Sequence, residues 1–164
     1  MLSTYPIAVT LHVLAAIVWV GGALFMGAVA VPVARQLPDE QRHLVVGRIG
    51  YRFRPVGWAA LVTLWITGIW LVLIWGGTWA SLTDGSFYQS PQGAKIGIKF
   101  VVVALMTAVT AVHDWWLGPR SSAMRHDDPG LPAARRVAGL LGMATAALSL
   151  VIVLLAIHIA RPHL

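Results

Sequence analysis

Apolar residues in this chain come in long uninterrupted runs. Stretches such as Leu71-Val72-Leu73-Ile74-Trp75 and Val101-Val102-Val103-Ala104-Leu105-Met106 show no period of two, which argues against the alternating strands of a membrane β-barrel. Four runs stand out, at about 6–32, 55–77, 96–118 and 137–160. Each has the ~20 predominantly apolar residues that a helix needs to cross hydrocarbon. The pattern predicts an all-α integral membrane four-helix bundle, with residues 1–164 forming a single domain. Polar side chains inside those runs must therefore be explained against lipid rather than water.

Charge sharpens the topology. Only 11% of the residues are charged and 58% are hydrophobic, whereas a soluble domain carries about a quarter charged residues. The connection between runs one and two holds Arg35, Arg42, Arg48, Arg52 and Arg54, and the one between runs three and four holds Arg120, Arg125, Arg135 and Arg136. The other side has only Lys95 and Arg161, with Lys99 just inside a run. The positive-inside rule then places both arginine loops in the cytoplasm and both termini in the periplasm of a bacterial cytoplasmic (inner) membrane. The net charge of +6 thus follows from topology and needs no nucleic-acid partner. Residues 1–11 lack a basic leader, and the first run is too long for a cleaved signal peptide. With no cysteine in the chain, disulfides, thiolate metal sites and thiol catalysis are excluded.

The connecting segments carry their own signals. Leu37-Pro38-Asp39-Glu40 reads as a helix start, and Val45, Val46 and Ile49 interleaved with Arg42 and Arg48 predict a short helix lying in the interface. Residues 78–94 are rich in Gly, Ser and Thr, with aromatic Trp79, Phe87 and Tyr88, and suggest a lid over one end of the bundle. Asp127-Asp128-Pro129-Gly130 reads as a turn. Of eight tryptophans, Trp75, Trp79, Trp115 and Trp116 suit an interfacial aromatic belt. Trp19, Trp58, Trp65 and Trp70 fall inside runs and need packing or a flat ligand.

Histidines are the strongest candidates for chemistry. His12 near the outer end of helix one and His158 near the outer end of helix four fall at similar depth, because the helices run in opposite directions at about 1.5 Å per residue. A matched pair of this kind suggests a shared metal or haem ligand set. His113 sits near the inner end of helix three beside Asp114, while His43, His126 and His163 belong to loops or the terminus. Helical spacing puts Lys99, Met106, Thr110 and His113 on one stripe and His12, Trp19 and Met26 on another. Imidazole and thioether suit a soft cation such as Cu(I), although methionine is also common core filler. Lys99 either snorkels or balances an anion such as a haem propionate. No phosphate-binding glycine loop, G-x-S-x-G elbow or H-E-x-x-H motif is present, so hydrolase and nucleotide chemistry have no support.

From Tyr51 to Pro162 the order of features resembles the CopD family of bacterial copper-resistance membrane proteins. The pieces are Arg52-Phe53-Arg54, Thr67-Gly68, Tyr88-Gln89-Ser90-Pro91-Gln92-Gly93 leading to Lys99, Gly118-Pro119-Arg120, and Arg135-Arg136 opening the last helix. Leu11-His12-Val13 and Trp19-Val20-Gly21-Gly22 in helix one also resemble the first helix of HemJ-type protoporphyrinogen oxidases, which bind b-type haem. The Asn-Glu-x-Pro motif of that family is absent, and His158 stands where it has a lysine. His113-Asp114 replaces an Asn common in CopD proteins, which are usually longer.

Two functions follow. The resemblance to CopD implies an inner-membrane protein that binds and moves copper, with His12 and His158 as outer metal ligands, Met26 and Met106 lining a path, and His113 at its exit. The alternative is a b-type haem redox protein with His12 and His158 as axial ligands, Trp19 or Trp65 against the macrocycle, and electrons passing to a quinol or another carrier. Only the second would make it an enzyme, an oxidoreductase. Copper is the preferred reading; a periplasmic copper carrier or a quinol is the expected partner besides the bilayer, and oligomeric state stays open. A purely structural subunit would not require paired histidines.

Overall fold

The computed structural model describes residues 4–124 and 128–160. Arg125, His126, Asp127, Arg161, Pro162 and His163 lie outside them. All regular structure among the described residues is helical. Four helices are long and apolar enough to span a membrane: α1 (Tyr5–Ala34), α2 (Asp39–Ile74, its spanning part Gln41–Ile74), α4 (Pro91–Arg120) and α5 (Leu131–Ala160). A short α3 (Trp79–Thr83) and a 3-10 turn (Ser86–Gln89) lie between α2 and α4. The protein is a membrane-spanning four-helix bundle.

Helix α2 corrects one expectation. The predicted interfacial helix is not a separate element but the first turns of α2, which runs unbroken for 36 residues through Pro55. At 1.5 Å per residue that is about 54 Å, well beyond the ~30 Å of hydrocarbon. Gly50 costs a helix only ~1 kcal/mol, and Pro55 removes one hydrogen bond; neither stops the helix between strong flanking turns. An Arg42–Asp39 ion pair of 2.7 Å sits on its first turn.

Prolines also explain two irregularities. α1 opens into a π-helical turn at Met26–Ala30 and α4 does so at Val112–Leu117. Each lies two residues before a proline, Pro32 and Pro119. Proline lacks an N–H and its ring collides with the carbonyl one turn back; a wider turn removes the collision and is common at functional sites.

Burial is inverted relative to a soluble protein. Ile17 (61%), Ile66 (59%), Val101 (68%) and Leu154 (66%) are exposed, as suits a surface facing lipid. The interior gathers Ala15, Trp19, Ala60, Leu61 and Met106. α1 packs on α2 and α5, and α4 packs on α5. α2 and α4 are bridged by aromatic pairs, Trp58 on Trp115 at 4.5 Å and Trp65 on Phe100 at 6.0 Å.

The segment expected to form a lid is a folded cap. Thr78 and Ser81 form a reciprocal capping box that starts α3. Ser90 caps α4 by accepting from the Gly93 N–H at 3.0 Å. Leu82 and Phe87 pack on Val72, Ile96 and Ile159 at the bundle end. Gly93 is required there, because a Cβ would run into the Phe87 carbonyl.

Candidate functional site

Hydroxyl groups organise the polar interior. Thr67, Thr107 and Ser149 each donate to the carbonyl four residues earlier, Thr63, Val103 and Thr145, at 2.6, 2.8 and 2.8 Å. Such back-bonding is how a helix in lipid satisfies a hydroxyl proton. The oxygen is left as an acceptor, and each of these three receives a ring nitrogen from another helix. His12 Nδ1 reaches Thr67 Oγ1 at 2.7 Å, Trp65 Nε1 reaches Thr107 Oγ1 at 3.2 Å, and Trp19 Nε1 reaches Ser149 Oγ at 3.0 Å.

For His12 this sets the ring's orientation. With the Thr67 proton given to the Thr63 carbonyl, the His12 Nδ1 carries the proton and donates it. In the neutral imidazole Nε2 then holds a bare lone pair, and it has no hydrogen-bond partner among the described residues. A histidine oriented through one nitrogen and open at the other is the arrangement found in metal ligands. Gly68 faces the ring, where a Cβ would stand 3.5 Å from Cε1. Lys99 is half-buried and close enough for its charge to act on His12.

Trp19, Met106 and Ser149 form a closed triangle about two turns deeper. Trp19 Nε1 and Ser149 Oγ both lie 3.3 Å from Met106 Sδ. All three are nearly inaccessible, at 5%, 1% and 2% exposure. Thr110, also buried, donates to the Met106 carbonyl at 2.9 Å. This places a soft sulfur in the centre of the bundle, held between α1 and α5.

A second polar group lies at the arginine end. Asp114 accepts from Trp58 Nε1 at 3.0 Å and from His113 Nδ1 at 2.9 Å. The guanidinium of Arg54 acts on Asp114 electrostatically, and its Nε is buried without a hydrogen-bond partner. Since the carboxylate only accepts, His113 donates from Nδ1, and its Nε2 has no hydrogen-bond partner among the described residues. The π turn carries this histidine and aspartate together.

The remaining candidates are placed differently. His158 is exposed on α5 and has no partner among the described residues. The next residue, Ile159, turns inward onto Val72 and Ile96; one residue is about 100° of helix, enough to turn His158 outward. His12 is half-buried against Thr67 and His158 is exposed, and no hydrogen bond joins the two among the described residues. Met26 lines a groove between α1 and α2 with Phe25 and Phe53. No group of three or more His, Asp or Glu forms a metal cluster among the described residues.

Thr67, Ser149, Trp58 and Arg54 had not been singled out as site residues. Trp58 was the most accessible from sequence, since an indole inside a span needs an acceptor. The small hydroxyl residues carry no such signal.

The family model for copper resistance protein D matches residues 47–159. The chain belongs to the copper resistance protein D family. The match covers α2 from Gly47 through most of α5, including Thr67, Met106, the His113–Asp114 pair and Ser149, while His12 and Trp19 precede it. A protein of Aquifex aeolicus (strain VF5), described as uncharacterized, is 32% identical over 112 residues, 68% of each chain. No solved structure matches. This is a copper-resistance membrane protein with several spanning helices.

Proposed function

We propose that this family member binds copper and carries it through the bacterial inner membrane, as transport or uptake, with His12 as the receiving ligand. One observation supports this above the others: Thr67, tied to the Thr63 carbonyl, holds His12 by Nδ1 at 2.7 Å and leaves Nε2 without a hydrogen-bond partner among the described residues. A neutral imidazole is a good ligand for Cu(I), and the thioether of Met106 offers a second soft donor deeper in the bundle. Seven residues separate His12 from Trp19, the indole that contacts Met106, a step of about 10 Å. His113, oriented by Asp114, offers a third donor toward the arginine end. His158 is the imidazole that the sequence places at the depth of His12, available to an ion if its side chain turns inward. Lys99 weakens the hold of His12 on a cation, which favours passage over storage.

The test is a Cu(I) titration of the detergent-purified protein against a chromophoric chelator, alongside copper accumulation in cells. His12→Ala should lose the bound ion and lower accumulation, and neither protein should show a Soret band. Unchanged copper binding by His12→Ala would overturn the assignment.

A further inference from the structure

A groove outside the sites above holds Met26. It has a volume of about 440 Å3 and lies between α1 and the extended part of α2. Phe25, Met26, Phe53 and Val56 form its walls, and Gly22 lets the Phe53 ring press against α1. Arg48 and Arg52 stand on its rim. They are four residues apart and so share a helix face. Both are exposed, and neither has an ion-pair or hydrogen-bond partner among the described residues.

We infer that this groove is a binding site for an anionic glycerophospholipid, with the phosphodiester bridging Arg48 and Arg52 and one acyl chain lying along Phe25, Met26, Phe53 and Val56. The observations require an amphiphile. An apolar trough open to hydrocarbon accepts a chain of any lipid, so it confers no choice by itself. The two unpaired guanidiniums add the choice, since arginine binds phosphate through forked, charge-assisted hydrogen bonds. The surplus length of α2 carries both arginines toward the headgroup region while Val56 and Phe53 remain at acyl depth. Basic pockets between spanning helices select acidic headgroups for this reason. The inference is independent of copper binding.

Native mass spectrometry of the detergent-solubilised full chain tests it, with phosphatidylglycerol and phosphatidylcholine of identical chains as probes. At about a factor of five per arginine near the surface, phosphatidylglycerol should be retained about 30-fold better. Arg48→Gln with Arg52→Gln should abolish that preference, whereas Arg135→Gln with Arg136→Gln removes equal charge from another helix and should preserve it. Val56→Trp should fill the groove and reduce retention of both lipids. All variants should elute as wild type does on size exclusion and keep their helical circular dichroism. Equal retention of the two lipids by the wild type would overturn the inference. So would equal loss in both arginine pairs, which would mean diffuse surface charge. Displacement of the lipid by millimolar glycerol 3-phosphate would also overturn it, because the ligand would then be a soluble phosphate.

Discussion

Replacing Thr67 with valine keeps the shape of the side chain and deletes the one atom that orients His12. In the structure the hydroxyl stands 2.7 Å from His12 Nδ1 and 2.6 Å from the Thr63 carbonyl, so donating to Thr63 leaves it to accept from His12. With valine there, a proton on Nδ1 faces an apolar wall and costs about 1–3 kcal/mol. The imidazole avoids that cost by moving its proton to Nε2, which blocks the nitrogen left open for metal. Binding Cu(I) must then reverse the shift, so affinity should fall about 10- to 100-fold. That corresponds to about 1.4–2.7 kcal/mol. Global stability should change far less, because hydrogen bonds between helices in lipid average ~0.6 kcal/mol. The assay is competitive Cu(I) titration and thermal unfolding in the same detergent. Thr67→Ser, which retains both hydrogen bonds, should bind nearly as wild type does. If Thr67→Val matched wild type while His12→Ala bound nothing, the hydroxyl would have no part in setting the tautomer.

Other substitutions probe the rest of the bundle. Met106→Ala empties a site that is 1% exposed and should destabilise the protein by about 2–5 kcal/mol in thermal unfolding. Met106→Leu should cost less than about 1.5 kcal/mol, so a fall in copper accumulation with that variant would report the sulfur itself. Gly22→Ala forces the Phe53 ring to move, whereas a Cβ on Gly21 meets nothing within 4 Å. The first should lose about 1–3 kcal/mol and the second should be silent. Asp114→Ala leaves the Trp58 N–H without its acceptor and should cost about 1–3 kcal/mol, with Asp114→Asn intermediate; red-shifted tryptophan emission would accompany the loss.

Depth and stripe were legible in the sequence, and lateral partners were not. The four spanning helices follow from unbroken apolar runs, and of the stripe Lys99, Met106, Thr110 and His113 the middle two are buried and the outer two half-buried. The stripe on helix one runs from half-buried His12 through buried Trp19 to half-buried Met26, after which the π turn shifts the register. For His158, rise along the axis follows from residue count, but rotation about it, which leaves the side chain exposed, depends on which neighbours Ile159 packs against. Thr67 and Ser149 were invisible as partners, because a hydroxyl in a helix ordinarily satisfies itself on its own backbone. The membership of residues 47–159 in the copper resistance protein D family agrees with the short motifs read in that region.

The stacked indoles of Trp58 and Trp115, 4.5 Å apart and inclined by 10°, also make the protein its own optical gauge. Two chromophores this close share their excited states, so their near-ultraviolet circular dichroism is a property of the pair and vanishes when the rings part. Because one ring belongs to α2 and the other to the π turn of α4, that signal reads the separation of two helices at the arginine end without any label.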